Sequence, residues 1–361
     1  MAVGVSGSET VVLSTEHRVL DAVTQWLNQA KTVWLCTIVK TWGSSPRPAG
    51  SMLAYQEECG VVGSLSGGCI EETLIRQFSA ASSDLNRLNN PLLYDYSISG
   101  EDQAKYMLPC GGQLTILIER LNATPHTVQH FNEIQNALNL RQRIRREVSL
   151  ADGQMGVSLA AETMVGPDVV QSAESIAVLF GPVFKMLLLG AGEVSYSVAS
   201  IAMSVGFSVT VCDPREAFIQ GYQQVGVEVI RCLPDDLVKA RFSDAYSAIL
   251  ALAHDPRVDD MALMEALKTK AFYIGAMGSA RTSVDRRKRL AQLDCSESEI
   301  SQLHSPIGID IGSKRPTEIA VSIMAQVLAE RHQFLGRLVS VSNQKSLSAS
   351  SNASSDGVMT S

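Results

Sequence analysis

The sequence predicts an α/β protein in two parts, an N-terminal α+β domain followed by a doubly wound, Rossmann-like domain. Three observations predict it. A chain of 361 residues exceeds what one simple hydrophobic core organises. A strand-like run at 186–189 leads into Gly190-Ala191-Gly192 and a helix, and an acidic residue, Asp213, ends the next strand 21 positions beyond Gly192. Further strand-like runs at 228–232, 248–253 and 271–274 each follow a helical segment, as a doubly wound sheet requires.

In the first part, residues 1–13 are small and loosely patterned. Apolar Val19, Leu20, Val23, Trp26 and Leu27 recur at spacings of three and four, which predicts an amphipathic helix over 16–29. The β-branched and aromatic run 33–40 predicts a strand. Prolines and glycines then punctuate 41–50 into a fixed loop carrying Ser44, Ser45 and Arg47. Strands are predicted at 51–56 and 60–65, and a helix over 70–78 follows Gly67-Gly68-Cys69. Short strands at 92–97 and 113–120 flank Pro109-Cys110-Gly111-Gly112. Beyond them, 128–140 reads as helix, and 147–150 with 155–160 as a hairpin across Asp152-Gly153. The domain boundaries expected are 14–125, an extension and connector over 126–182, the Rossmann-like domain over 183–335, and a disordered, serine-rich tail over 336–361.

Composition excludes several classes. A hydrophobic content of 45% with 19% charged residues is that of a soluble globular protein. There is neither a long apolar run nor a basic-then-apolar leader, so no membrane span and no signal peptide are expected. Seven cysteines without framework spacing imply reduced thiols and a cytoplasmic protein. A net charge of −7 argues against nucleic-acid binding, and the basic clusters at 141–146 and 286–289 read as solvated helix faces.

The chemistry-bearing motifs are glycine turns. Gly67-Gly68-Cys69 before a helix frees the backbone so that several N–H groups converge, and the helix start adds positive potential. A thiol held there ionises more readily, although a small buried cysteine fits the same pattern. Cys110 beside Gly111 and Gly112 repeats that chemistry in reverse order. In the second part, Gly190 permits a tight turn and Gly192 lets backbone approach a pyrophosphate. Asp213 suits a ribose 2′-hydroxyl and Arg215 a 2′-phosphate, and the sequence does not choose between them. His254, after the strand at 248–253, is either an acid–base group or part of a turn. Gly275, Gly278 and Ser279 form a further possible anion cradle, with Arg281 as a clamp. His126 and His130 share a helix face but lack a third metal ligand in register. The segment 307–312 reads as a last strand or turn, and Pro316 opens a helix over 317–332.

These motifs in this order resemble the XdhC/CoxI family, accessory proteins of molybdenum hydroxylases such as xanthine dehydrogenase. The matching pieces are Gly43-Ser44-Ser45-Pro46-Arg47-Pro48-Ala49-Gly50, Gly63-Ser64-Leu65-Ser66-Gly67-Gly68-Cys69-Ile70-Glu71, Pro109-Cys110-Gly111-Gly112, Gly190-Ala191-Gly192, Asp213-Pro214-Arg215, His254-Asp255, Tyr273-Ile274-Gly275-Ala276-Met277-Gly278-Ser279 and Ser305-Pro306-Ile307-Gly308-Ile309-Asp310-Ile311-Gly312. The resemblance implies a chaperone without turnover of its own that binds molybdenum cofactor and inserts it into an apo molybdenum hydroxylase. It further implies a cysteine desulfurase partner, and a homodimer is the default assembly. Cys69 and Cys110 become the candidates for touching the metal or its sulfur, because soft ligands suit thiol chemistry. Ser44, Arg47 and the glycine-turn residues named above become candidates for the rest of the cofactor. Many family members carry histidine where this chain has Glu193, so no catalytic role is assigned there. The competing reading is an NAD(P)-dependent oxidoreductase built on Gly190, Gly192 and Asp213, with His254 as acid–base group.

Overall fold

The structure, a computed structural model, describes residues 14–43, 47–80, 82–95, 113–160, 169–312 and 314–352; the side chains of Cys69 and of 337–352 fall outside that description. Its contacts divide the chain into two compact units, one over Thr15–Pro182 and one over Val183–Gly336.

The first unit is built on an antiparallel five-stranded sheet in the order β3-β2-β1-β5-β4. Its strands are β1 (Val33–Trp42), β2 (Met52–Gln56), β3 (Gly60–Gly63), β4 (Leu92–Asp95) and β5 (Gln113–Leu121). Both faces are covered. Val33, Leu35 and Val39 pack with helices α1 (Thr15–Asn28) and α3 (Pro125–Asn139). The alternate residues Trp34, Cys36 and Ile38 pack against α2 (Cys69–Ser79). That double burial explains why β1 reads as a continuous apolar run rather than an alternating one. Phe78 anchors α2 by stacking on Trp34, ring centroids 4.4 Å apart and 4° from parallel. Losing that ring would cost about 3–5 kcal/mol and release the helix that follows the Gly67-Gly68 turn.

A second antiparallel sheet in the same unit runs β7-β6-β9-β8, formed by β6 (Arg143–Ser149), β7 (Met155–Ala160), β8 (Val169–Gln171) and β9 (Ser175–Phe180). The hairpin across Asp152-Gly153 is present, but β6 begins four residues earlier than the sequence suggests, and β8 and β9 were not anticipated. Ile176, Val178 and Phe180 of β9 join the same core as α1 and α3.

The second unit is a parallel six-stranded sheet in the order β12-β11-β10-β13-β14-β15. In chain order it comprises β10 (Lys185–Leu189), α4 (Glu193–Ser204), β11 (Ser208–Cys212), α5 (Glu216–Gly221), β12 (Val227–Ile230), α6 (Pro234–Arg241) and β13 (Ser247–Ala251). It continues with α7 (Pro256–Ala266), β14 (Tyr273–Ala276), α8 (Ala280–Gln292), α9 (Glu297–Ser301), β15 (Leu303–His304) and the part of α10 (Pro316–Asn352) up to Gly336. Separate cores cover the sheet's two faces, which is the doubly wound arrangement predicted. The chain reverses its winding between β10 and β13, so ligands of such a sheet belong at the carboxyl ends of these two strands.

Several expectations are corrected. The basic clusters are only in part solvated: Lys288 is exposed on α8, but the two arginines Arg146 and Arg286 are not. Arg146 lies in strand β6 and Arg286 in α8, and they are 1% and 2% exposed. Carboxylates far away in sequence draw them inward: Glu119 takes both Arg146 Nη atoms at 2.9 and 2.7 Å, and Asp259 and Asp260 face Arg286. The last strand is β15 at 303–304, and 307–312 is irregular. Helix α10 extends to Asn352, and no proline or glycine follows Gly336 in that span. Among the described residues no helix is long and apolar enough to cross a membrane.

Candidate functional site

In the first unit the turn before α2 is organised around the Glu71 carboxylate. Its Oε1 accepts from Ser64 Oγ, Leu65 N and Ser66 N, each at 2.8 Å, and from Gly67 N at 3.1 Å. Its Oε2 accepts from Ser66 Oγ at 2.5 Å and from Gly68 N at 3.0 Å. Gly67 and Gly68 have φ of +91° and +148°, conformations that glycine adopts freely and other residues do not. The anion cradle read from the sequence therefore exists, but the anion it holds is the protein's own. Burial opposes ionisation of Glu71, yet the Ser66 hydroxyl and the converging N–H groups outweigh it and hold the carboxyl well below its usual range. Among the described residues a Cβ built at Gly67 or Gly68 meets nothing within 4 Å, so the outer side of the turn is open to them. Cys69 is the first residue of α2, and Arg47 is exposed. Ser44, Cys110 and Gly111 lie outside the described residues.

Below this sheet a buried polar chain was missed by the sequence reading. Arg146 Nε donates to His130 Nε2 at 3.1 Å while its guanidinium pairs with Glu119. Burial, with Arg146 beside it, pushes the His130 imidazole down to about 3, so it is neutral and serves as an acceptor. This is a structural role, not a metal site. Among the described residues no group of three His, Cys, Asp or Glu side chains is placed to hold a metal ion.

In the second unit the Gly190 turn and His254 meet at the switch point between β10 and β13. Gly190 has φ +104°, and a Cβ there would sit 2.6 Å from Ala253 Cα, so only glycine allows the two strand ends to approach. His254, the next residue, is exposed and is held at φ +58°, a conformation that costs a non-glycine residue energy. Gly192 is extended, and a Cβ on it meets nothing within 4 Å, leaving space at the start of α4.

Asp213 is fully buried and already committed. Its Oδ2 accepts from Ala191 N at 2.9 Å and Arg215 Nη2 at 2.7 Å, and its Oδ1 from Arg215 N at 2.9 Å and Nε at 2.8 Å. Burial works against the charge, but Arg215 and these N–H donors prevail and lower the carboxyl below its usual range. Arg215 in turn lies over the Phe218 ring, 3.8 Å from its centroid. Asp213 thus ties the glycine turn to the end of β11.

The loop after β14 is shaped by packing. A Cβ at Gly275 would come within 2.6 Å of Ile307 Cδ1, and one at Gly278 within 3.3 Å of Thr282 Cβ. Ser279 caps α8, its Oγ accepting from Thr282 N at 3.1 Å. Behind these loops Asp259 Oδ1 accepts from Ala253 N at 3.3 Å, and Arg286 Nη1 donates to Met277 O at 2.9 Å. The buried Asp259–Arg286 pair therefore fixes the chain beside His254 and the loop after β14 together. Burial pushes the Asp259 carboxyl up to about 6 despite Arg286. The sequence signal that could have revealed Glu71 is its position three residues after the N-cap Gly68, where a carboxylate reaches back to the cap. No comparable local signal marks Asp259 or Arg286.

Comparison with known proteins gives the family. Residues 186–327 match the XdhC Rossmann domain, and residues 26–87 match the XdhC and CoxI family. A Bacillus subtilis (strain 168) protein named as a probable xanthine dehydrogenase subunit is 26% identical, covering 87% of this chain and 97% of that protein. The Escherichia coli K12 protein named "Molybdenum cofactor insertion chaperone PaoD" is also 26% identical, over 90% of this chain and 92% of its own length. A crystal structure described as a xanthine dehydrogenase from Bacillus halodurans shares the fold with a TM-score of 0.70 at 23% identity, covering 89% of this chain and 96% of that one. With two family matches that together span more than half the sequence, the chain belongs to the XdhC and CoxI family.

Proposed function

We propose that this chain binds molybdenum cofactor as cargo and inserts it into an apo molybdenum hydroxylase of the xanthine dehydrogenase or aldehyde oxidoreductase type. The observation that carries the reading is its near full-length likeness to the molybdenum cofactor insertion chaperone. The structure supports it with two glycine turns that face open space, one per unit, at Gly67-Gly68 and at Gly192. At α4 the first turn favours negative charge such as the cargo's phosphate, whereas at α2 Glu71 already occupies the converging N–H groups and leaves the outer side of the turn for the rest of the cargo. Its thiolate-ligated metal suits a soft donor, and Cys69 stands at the first position of α2.

On this reading Cys69 and Cys110 touch the metal or its sulfur. Ser44, Arg47, Gly67, Gly68 and Gly111 are the other candidates of the first unit, and Gly190, Gly192 and His254 are those of the second. Glu71 and Asp213 act one step back, the first shaping the Cys69 turn and the second shaping the Gly190 turn. Gly275, Gly278 and Ser279 support the same edge of the sheet. The partners are the apo hydroxylase and a cysteine desulfurase that supplies the terminal sulfur, and the chain works as a homodimer in the cytoplasm. A nicotinamide dinucleotide fits less well, because both oxygens of Asp213, the ribose-binding candidate, are already bonded within the protein.

The direct test is Cys69→Ala. It should retain the wild-type circular dichroism spectrum and lose cofactor on desalting under anaerobic conditions. Unchanged retention would remove Cys69 from the site.

A further inference from the structure

Two thiols stand apart from the residues assigned above. Cys212 ends β11 and is in parallel register with Ile230, the last residue of β12. Cys232 follows two residues later, which returns its side chain to the same side. The two Sγ atoms lie 3.5 Å apart, and Cys212 Sγ also lies 3.5 Å from the Cys232 carbonyl oxygen. A disulfide needs about 2 Å, so small side-chain shifts suffice to close the bond. The pair differs in access: Cys212 is fully buried, whereas Cys232 is half-buried.

We propose that Cys212 and Cys232 form a reversible disulfide when a peroxide-class oxidant reaches Cys232. In the first step Cys232 sulfur attacks a peroxide oxygen; the O–O bond breaks, a sulfenic acid forms and one water leaves. In the second, Cys212 sulfur attacks Cys232 sulfur; the S–O bond breaks, and the departing hydroxide takes the thiol proton as a second water. The two cysteines lose two electrons and the peroxide gains them. A dithiol reductant reverses the reaction by exchange.

The bridge would act on the glycine turn. Cys212 O accepts from Gly190 N at 2.8 Å, and the adjacent Asp213 holds Ala191 N. Locking Cys212 to the chain beyond β12 therefore fixes the strand end on which 190–192 hangs. Burial raises both thiols above the ordinary cysteine range, so the pair stays reduced and slow to react near neutral pH, and oxidation should quicken as pH rises.

The test uses the full-length chain. It is exposed to hydrogen peroxide, quenched with catalase, blocked with N-ethylmaleimide, digested and analysed by mass spectrometry. The expected product is a Cys212–Cys232 linked peptide two hydrogens lighter than its parts, abolished by dithiothreitol. In Cys212→Ser the link disappears and dimedone traps a sulfenic acid on Cys232. Exposed Cys59 reports the oxidant dose. The proposal is overturned if both Cys212 and Cys232 carry maleimide at a dose that consumes Cys59. It is equally overturned if Cys232 links elsewhere or proceeds to sulfinic acid without a link.

Discussion

Replacing Glu71 by glutamine isolates one carboxylate oxygen. If the glutamine carbonyl takes the place of Oε1, the donors from Ser64, Leu65, Ser66 and Gly67 keep an acceptor, now neutral. The glutamine NH2 then faces Gly68 N–H, two donors with no acceptor between them. Leaving that N–H unsatisfied costs about 1–3 kcal/mol, and hydrogen bonds to a charged acceptor are roughly twice as strong as neutral ones. The total expected loss is about 3 kcal/mol, read as a lower urea midpoint at unchanged slope. The pH dependence supplies a second readout. The folded carboxyl lies below the unfolded value of 4.5, so its stabilisation is complete above that pH and is lost as pH falls beneath it. The gap between wild type and Glu71→Gln should therefore shrink in acid. A loss under about 1 kcal/mol at pH 7, or a gap that does not narrow below pH 4.5, would refute the claim that Glu71 holds the turn.

Other outcomes follow from the same geometry. Gly190→Ala places a Cβ against Ala253 backbone at positive φ and should cost roughly 3 kcal/mol or more, whereas Gly192→Ala, with nothing nearby, should unfold within about 0.5 kcal/mol of wild type and lose cofactor. His130 is held neutral with its value lowered from 6.5 to about 3, so falling pH favours the unfolded chain, which takes up the proton the folded one refuses. His130→Gln keeps an acceptor for Arg146 but does not titrate. Between pH 7 and 4 it should lose on the order of 3 kcal/mol less stability than wild type, measured by urea titration at each pH.

Most of the architecture was legible because its signals are local. The spacing of Val19, Val23 and Trp26, the β-branched run of β1 and the glycine turn after β10 each declare an element within a few residues. What escaped the sequence reading depends on distant partners. Arg146 is separated from Glu119, and Arg286 from Asp259, by 27 positions each, so a charge cluster that should have faced water became a buried pair. The strands β8 and β9 are short, and the pairing of β9 with β6 needs a sheet to make sense of it. The turns at Gly67-Gly68 and Gly190 are present as read, while the acceptor of the first turn's N–H groups, Glu71, was not foreseen. Glu71 lies only three residues beyond Gly68, yet a phosphate-binding turn and a self-capped turn share the same glycines. Likewise Asp213 had the right spacing for a ribose, but Arg215, two residues on, closes back onto it.

The proposed cargo of this chain is molybdenum cofactor. The measurement that tests it most directly is metal and pterin content of the full-length protein, isolated anaerobically from cells making the cofactor. A carrier of the cofactor should hold molybdenum and pterin in equal amounts, without nicotinamide, and release them on addition of an apo molybdenum hydroxylase with gain of that enzyme's activity. Protein that holds neither molybdenum nor pterin under those conditions, or that holds nicotinamide and reduces it with a small substrate, is not a carrier of this cofactor.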